Sequence, residues 1–308
     1  MLPEFPEFKE IDLSDRSAVE RYLARSPRHA CEFSFANLFI WRDFDRPRFT
    51  TIDGNLCVLI DPLDEPRFFL EPLGNGTAAL AAKKCLDHAG RISRASSEFV
   101  SSIRADACRI EHMRDHFDYV YRVRDLAELK GRRYDGKRNH IKAFERSHPK
   151  YEFVTLTAAD RGEAMRLFEE WCASKIGDGD RDNPGLEFDC QRWALQRAFE
   201  GFDSLGMIGC GLSVGGALAG FMLATRLTEE TACVHLEYHS PGMHGVAQTL
   251  FREACRNTLS RFEHVNLEQD LGIAGLRRHK ESYYPLKMEE KFDVVLKGAA
   301  RWTSRPGL

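Results

Sequence analysis

Between Met207 and Thr225 the chain runs through 19 residues without one charged side chain, and five of them are glycine: Gly209, Gly211, Gly215, Gly216 and Gly220. That length is close to the ~20 residues a helix needs to cross a bilayer. The Gly211/Gly215 and Gly216/Gly220 pairs even match the G-x-x-x-G spacing of packed membrane helices. So much glycine, however, makes a poor helix, because each one forfeits backbone entropy. Gly215-Gly216 sits between Leu212-Ser213-Val214 and Ala217-Leu218-Ala219, as a two-residue hairpin turn would. The spacing predicts a buried β-hairpin here and no transmembrane segment.

With 308 residues the chain is long enough for two cores, in two domains of about 150 residues each. A hydrophobic share of 43% with 30% charged residues is that of a soluble globular protein. The net charge of −3 excludes a chain that coats nucleic acid indiscriminately but leaves room for one local basic patch. The nine cysteines are scattered singly and form no C-x-x-C pair, so neither a zinc site nor a dithiol motif is suggested. The odd cysteine count and an N-terminus, Met1-Leu2-Pro3-Glu4-Phe5-Pro6, without basic or apolar export features point to a reducing cytoplasm. The D-x-D-x-D run from Asp178 to Asp182 lacks the turn glycine and the terminal glutamate of a calcium loop. It reads as a mobile loop, and no metal is expected.

Phe49–Ile52, the Asp53-Gly54 turn and Leu56–Ile60 read as a hairpin, and Phe99–Ile103 and Tyr119–Val123 as further strands. Together with the helices between them they make one α+β domain over 1–130. A basic connecting helix over 131–150 follows, with Ile141 and Phe144 on its apolar side. Lys130, Arg132, Arg133, Lys137, Arg138, Lys142, Arg146 and Lys150 outnumber the acidic residues of that region. It is either a solvated basic helix or a contact for phosphate or tRNA. The second domain, 151–308, opens with an alternating strand at Tyr151–Leu156 and an amphipathic helix through Leu167, Phe168 and Trp171.

Two places in this second half carry candidate chemistry. In Thr231–His239, Val234, Leu236 and Tyr238 alternate with His235, Glu237 and His239, which puts the polar set on one face of a strand. Gly242, Met243, His244, Gly245, Val246 and Ala247 then form a glycine turn into a helix, the arrangement that presents backbone N–H groups to a phosphate. Farther on, Val265 and Leu267 suggest a short strand ending in Glu268, Gln269 and Asp270. A helix follows with Arg277 and Lys280 on one face, and Tyr283-Tyr284-Pro285 stops it. Asp270 is placed to cap that helix. Each of these residues also reads as ordinary capping or solvated surface.

The pattern N-x-E-Q-D-L-G-x-x-G-L-R-x-x-K-x-S-Y-x-P from Asn266 to Pro285 resembles the C-terminal signature of the phosphatidylglycerol lysyltransferase C-terminal-like (DUF2156) family. Lys137-Arg138-Asn139-His140-Ile141 with Phe144 looks like its K-R-N-x-I-x-x-F element, and Glu32 to Trp41 like its E-x-x-F-x-N-L-x-x-W element. The resemblance implies two tandem GNAT-like domains of α+β class, each a mixed, largely antiparallel sheet flanked by helices. It also implies kinship with enzymes that move an aminoacyl group from tRNA. Two neighbouring strands would then splay around the reacting carbonyl, with Glu237 or Asp270 as base and His239, Glu268, Gln269 and Tyr283 lining the site. Arg277 and Lys280 would hold an anionic group, and Lys137, Arg138 and Asn139 the donor. The loop matches the G-x-A part of the GNAT pyrophosphate motif at Gly245-Val246-Ala247, but Gly242 stands where that motif has Gln or Arg. Aminoacyl-tRNA is therefore the expected co-substrate, with a lipid headgroup, peptide or small amine as acceptor. Acyl-CoA is the alternative co-substrate, and a non-catalytic binding protein the alternative function.

Overall fold

The computed structural model describes residues 2–25, 29–103, 108–176 and 184–298. The acidic loop read as mobile lies outside them. The chain forms two compact units, neither of them contiguous in sequence. The first holds the chain up to Asp118, Gln269–Ala274 and the segment from Met288 on; the second holds Tyr119–Glu268 and Gly275–Lys287.

The first unit is built on a mixed sheet. Its order runs Lys9–Glu10, Arg48–Ile52, Asn55–Ile60, Phe68–Phe69, Arg91–Ala95, Phe292–Leu296, Cys108–His112, with Leu73–Gly74 also on Asn55–Ile60. Asp53 and Gly54 turn the hairpin with φ of 52° and 73°, as a two-residue turn of this hand requires. Ile52, Leu59, Phe69, Ile92 and Val294 pack against Ala81, Cys85 and Leu86 of the helix Ala78–Ala89. Phe99 joins the same core from a helix, Ser97–Ser102, rather than from the predicted strand. Ser96 Oγ accepts the Phe99 N–H at 3.1 Å, and such a cap outweighs the β-preference of Phe99 and Val100.

The second unit is a seven-stranded sheet in the order Lys287–Glu289, Asp118–Arg122, His264–Asn266, Thr231–His239, Ala217–Arg226, Ile208–Val214, Glu152–Leu156. The uncharged stretch is the expected hairpin, turned at Gly215 and Gly216 with φ of 61° and 83°. Among the described residues no helix is long and apolar enough to cross a membrane. A Cβ on Gly211 would come within 2.7 Å of Leu218 Cδ1 and 2.8 Å of the Gly220 carbonyl oxygen. That glycine is therefore required by close packing. The ring of Tyr238 sits among Phe168, Trp171 and Phe221 at 4.9–5.6 Å, and burying a side chain such as Phe168 or Phe221 fully contributes about 1.5–3 kcal/mol.

The chain path corrects the boundaries read from sequence. Strand Asp118–Arg122, expected in the first domain, pairs antiparallel with His264–Asn266 in the second sheet. The basic helix, Asp135–Ser147, is part of the second unit and buries Ile141 and Phe144. The last strand, Phe292–Leu296, returns to the first sheet between Arg91–Ala95 and Cys108–His112. Local patterning marks strands but not which sheet they join.

Candidate active site

Strands Thr231–His239 and His264–Asn266 are a parallel pair in the second sheet, and they part early. Their pairing runs only through Thr231↔His264, Ala232↔Val265 and Cys233↔Asn266. Beyond it, Val234 to His239 continue paired on the other side alone, so the strands splay where the polar residues begin. A bulge marks the same place: Leu223 faces Leu236 but Ala224 faces Val234, which leaves His235 as the extra residue. The bulge interrupts the single polar face expected for His235, Glu237 and His239 and re-aims the histidine. His235 bonds Thr225 Oγ1 and Glu268 Oε1, each at 2.8 Å.

Glu237 is half-buried beyond the bulge. Burial lifts its carboxyl to about 7, against the pull of the Lys280 ammonium. Its negative charge in turn acts on Tyr283, whose hydroxyl is driven far above the usual phenol range, chiefly by burial. Tyr283 is 2% exposed and packs edge-on against Phe251 at 5.2 Å. Its Oη and the Nδ1 of His239 are buried atoms without a hydrogen-bond partner among the described residues. Unpartnered polar atoms of this kind are costly, and the Tyr283 hydroxyl is one that lies within the field of Glu237.

Lys137 reaches the same region from the basic helix. Its Nζ donates to Ser282 Oγ at 2.6 Å and lies 3.8 Å from the Tyr283 ring centre. Desolvation lowers its ammonium to about 8. His279 meets the Tyr283 ring edge-on, 5.4 Å between centres. A histidine between two cations on a helix carries no local signal, and the sequence singles out only its neighbours Arg277 and Lys280.

Other expected site residues are engaged elsewhere. Asp270 is in the first unit and fully buried, accepting from Arg114 Nη1 at 2.9 Å and from the Gly272 N–H at 2.9 Å. That carboxylate is held by a cation and a turn, which removes it as a base. Gln269 belongs to a buried cluster of the same unit, accepting from Cys31 Sγ at 3.2 Å and donating to Glu32 at 3.4 Å. Lys280 turns inward, its Nζ donating to the Leu267 carbonyl at 2.6 Å, so it positions the strand end and acts on Glu237 through charge. Arg277 stays half-buried on the helix Ala274–Glu281. Arg138 donates to the carbonyls of Leu129 and Gly131, a fold-holding role rather than a donor contact. Asn139 is exposed and lines an open depression with Lys142, Glu145 and Arg146.

The glycine loop is built as the spacing required. Gly242 and Gly245 have φ of 82° and 85°, and Gly245 opens the helix Val246–Arg256, with Val246 and Ala247 buried. A Cβ on Gly245 would stand 2.2 Å from the His140 carbonyl oxygen, so the basic helix lies directly against the loop. His244, exposed, meets His140 ring to ring, Nε2 to Nδ1, at 2.8 Å.

No curated protein matches this chain. A conserved protein of unknown function from Bacteroides thetaiotaomicron shares 30% identity over 96% of this chain and 100% of its own, with a TM-score of 0.85. L-PGS from Bacillus licheniformis has the same fold at 16% identity and TM-score 0.62, over 97% of this chain and 95% of that one. FemX has it at 9% identity and TM-score 0.57, over 94% and 97%. The fold of both units is thus that of tandem GNAT-like proteins. The family pattern described as "Phosphatidylglycerol lysyltransferase, C-terminal" spans residues 23–295. The protein belongs to the phosphatidylglycerol lysyltransferase C-terminal family and is a transferase of the acyl-transferring class, EC 2.3.

Proposed function

We propose that the protein moves an aminoacyl group from aminoacyl-tRNA to an amine or hydroxyl acceptor by direct attack, with Glu237 as general base. The observation that carries this reading is Glu237 itself, a carboxylate at the parting of two parallel strands with its pKa lifted to about 7. A base poised near neutral pH accepts the acceptor's proton as its nitrogen or oxygen attacks the ester carbonyl. Tyr283 Oη and Lys137 Nζ are the donors that suit the developing oxyanion and the released ribose hydroxyl. Lipid headgroups, peptides and small amines all satisfy the acceptor chemistry.

Two features favour tRNA over CoA as donor carrier. Gly242 leaves the pyrophosphate loop without its Gln or Arg, and the His140 carbonyl backs Gly245 closely. Arg132, Lys142, Arg146 and Lys150 are exposed and make no ion pair among the described residues, and uncompensated cations of this kind fit a phosphate backbone. The Gly245-Val246-Ala247 turn into a helix N-terminus favours the second reading, an acyl-CoA-dependent transferase. Transfer of label from aminoacyl-tRNA to a panel of amine, peptide and lipid acceptors tests the proposal. Stabilisation by CoA thioesters, with no binding or turnover of aminoacyl-tRNA, would decide for the second.

A further inference from the structure

We infer that Cys233 and His235, two residues apart on one strand, form with Glu268 a binding site for a divalent transition-metal cation of the zinc type. One atom from each, the thiol sulfur, a ring nitrogen and a carboxylate oxygen, lies within 4.8 Å of the other two. Cys233 Sγ is 3.6 Å and His235 Nδ1 2.8 Å from the same oxygen, Glu268 Oε1. Three ligand atoms around a tetrahedral zinc, with bonds of about 2.0–2.3 Å, stand roughly 3.3–3.8 Å apart. The Cys–Glu separation already meets that spacing, and the His–Glu pair needs to open by about half an ångström.

The surroundings fit the same assignment. Nε2 of His235 is bonded to Thr225 Oγ1 at 2.8 Å, the outer contact that orients a metal-bound imidazole and leaves Nδ1 to face the ion. Glu268 is aimed by an unusual backbone: its φ is 56°, and its own N–H is held by Asn266 Oδ1 at 2.7 Å. One thiolate and one carboxylate neutralise a divalent charge, which suits a place where the His235 side chain is fully buried and Glu268 is 14% exposed. Soft sulfur with imidazole and carboxylate selects zinc over magnesium or calcium. On binding, the Cys233 thiol releases its proton to solvent. The neutral imidazole carries its proton on Nε2, toward Thr225. A second cysteine-containing set, Cys31, Glu32 and Asp118, already holds the Lys291 ammonium at its centre, 2.6 Å from Glu32 and Asp118.

Cobalt(II) titration of the full chain, stripped beforehand with a chelator, tests the site, because a thiolate ligand gives a sulfur-to-cobalt charge-transfer band. The expected result is one equivalent of Co²⁺ with that band, displaced by Zn²⁺. Cys233→Ser removes the band and Thr225→Val keeps it while weakening binding about tenfold; Cys255→Ser changes neither. Absence of Co²⁺ binding, or binding without the band, in the unmodified chain overturns the proposal whatever the variants do. So does a band that survives Cys233→Ser and disappears with Cys31→Ser.

Discussion

The Lys137 ammonium stands 3.8 Å from the centre of the Tyr283 ring, a cation–π contact between the basic helix and the tyrosine that follows the last helix of the second unit. Desolvation there lowers the lysine to about 8, so protonation costs the folded state more than the unfolded one. Between about pH 8 and the unfolded value of about 10.4 the unfolded chain binds more protons, and Lys137 adds stability as pH rises. Replacement by methionine is therefore expected to stabilise the protein at pH 7 by about 1 kcal/mol, after discounting for solvent around a half-exposed group. The gain should fade as denaturation is repeated above pH 8.

Glu237 carries the opposite sign. Its folded pKa of about 7 lies above the unfolded carboxylate value, so its stability contribution is complete at low pH and is lost as pH rises toward 7. Glu237→Gln should raise stability at pH 8 by about 2 kcal/mol. The same variant should lower transfer about 10²–10⁴-fold and abolish the rise in rate through pH 7. Equilibrium denaturation and a pH–rate profile on one preparation measure both.

Gly245 and Gly242 separate packing from backbone conformation. Both have positive φ, but a Cβ on Gly245 would strike the His140 carbonyl, whereas one on Gly242 meets nothing within 4 Å. Gly242→Ala should cost about 1 kcal/mol. Gly245→Ala should cost about 2 kcal/mol or more, as the basic helix must shift. Paired denaturation curves show whether that difference exists.

The fully buried Lys291 binds both Glu32 oxygens at 2.6 and 2.8 Å and Asp118 at 2.6 Å. Removing the cation strands two carboxylates, so Lys291→Met should destabilise by about 3–5 kcal/mol. A loss within the range of surface substitutions would show that these groups are neutral in the native protein.

Asp270→Asn tests the corrected role of that residue. With Arg114 as its partner, the variant should unfold more easily, by about 1–3 kcal/mol. Whatever fraction remains folded should keep its turnover number. A folded, equally stable and inactive protein would return Asp270 to the chemistry.

Glu268, Gln269 and Asp270 show how far the sequence could be read. Their clustering at the end of the strand was legible from the alternation of Val265 and Leu267, and the resemblance marked the region as functional. Their partners were not. Glu268 meets His235, Gln269 meets Cys31 and Glu32, and Asp270 meets Arg114. Three consecutive carboxylate and amide side chains thus enter three separate environments.

The hairpin at Gly215-Gly216, the Asp53-Gly54 turn, the glycine loop before Val246 and the α+β class were determined by sequence alone. They rest on φ preference, capping and period-two patterning, which act between near neighbours in the chain. Tertiary structure decided which sheet Asp118–Arg122 and Phe292–Leu296 joined, that burial lifts Glu237 to about 7 while Asp270 is tied to Arg114, and that Cys233, His235 and Glu268 share one point. Those outcomes depend on desolvation and on charges brought together across long sequence separations. A carboxylate's proton affinity follows what surrounds it in space, and no local pattern encodes that.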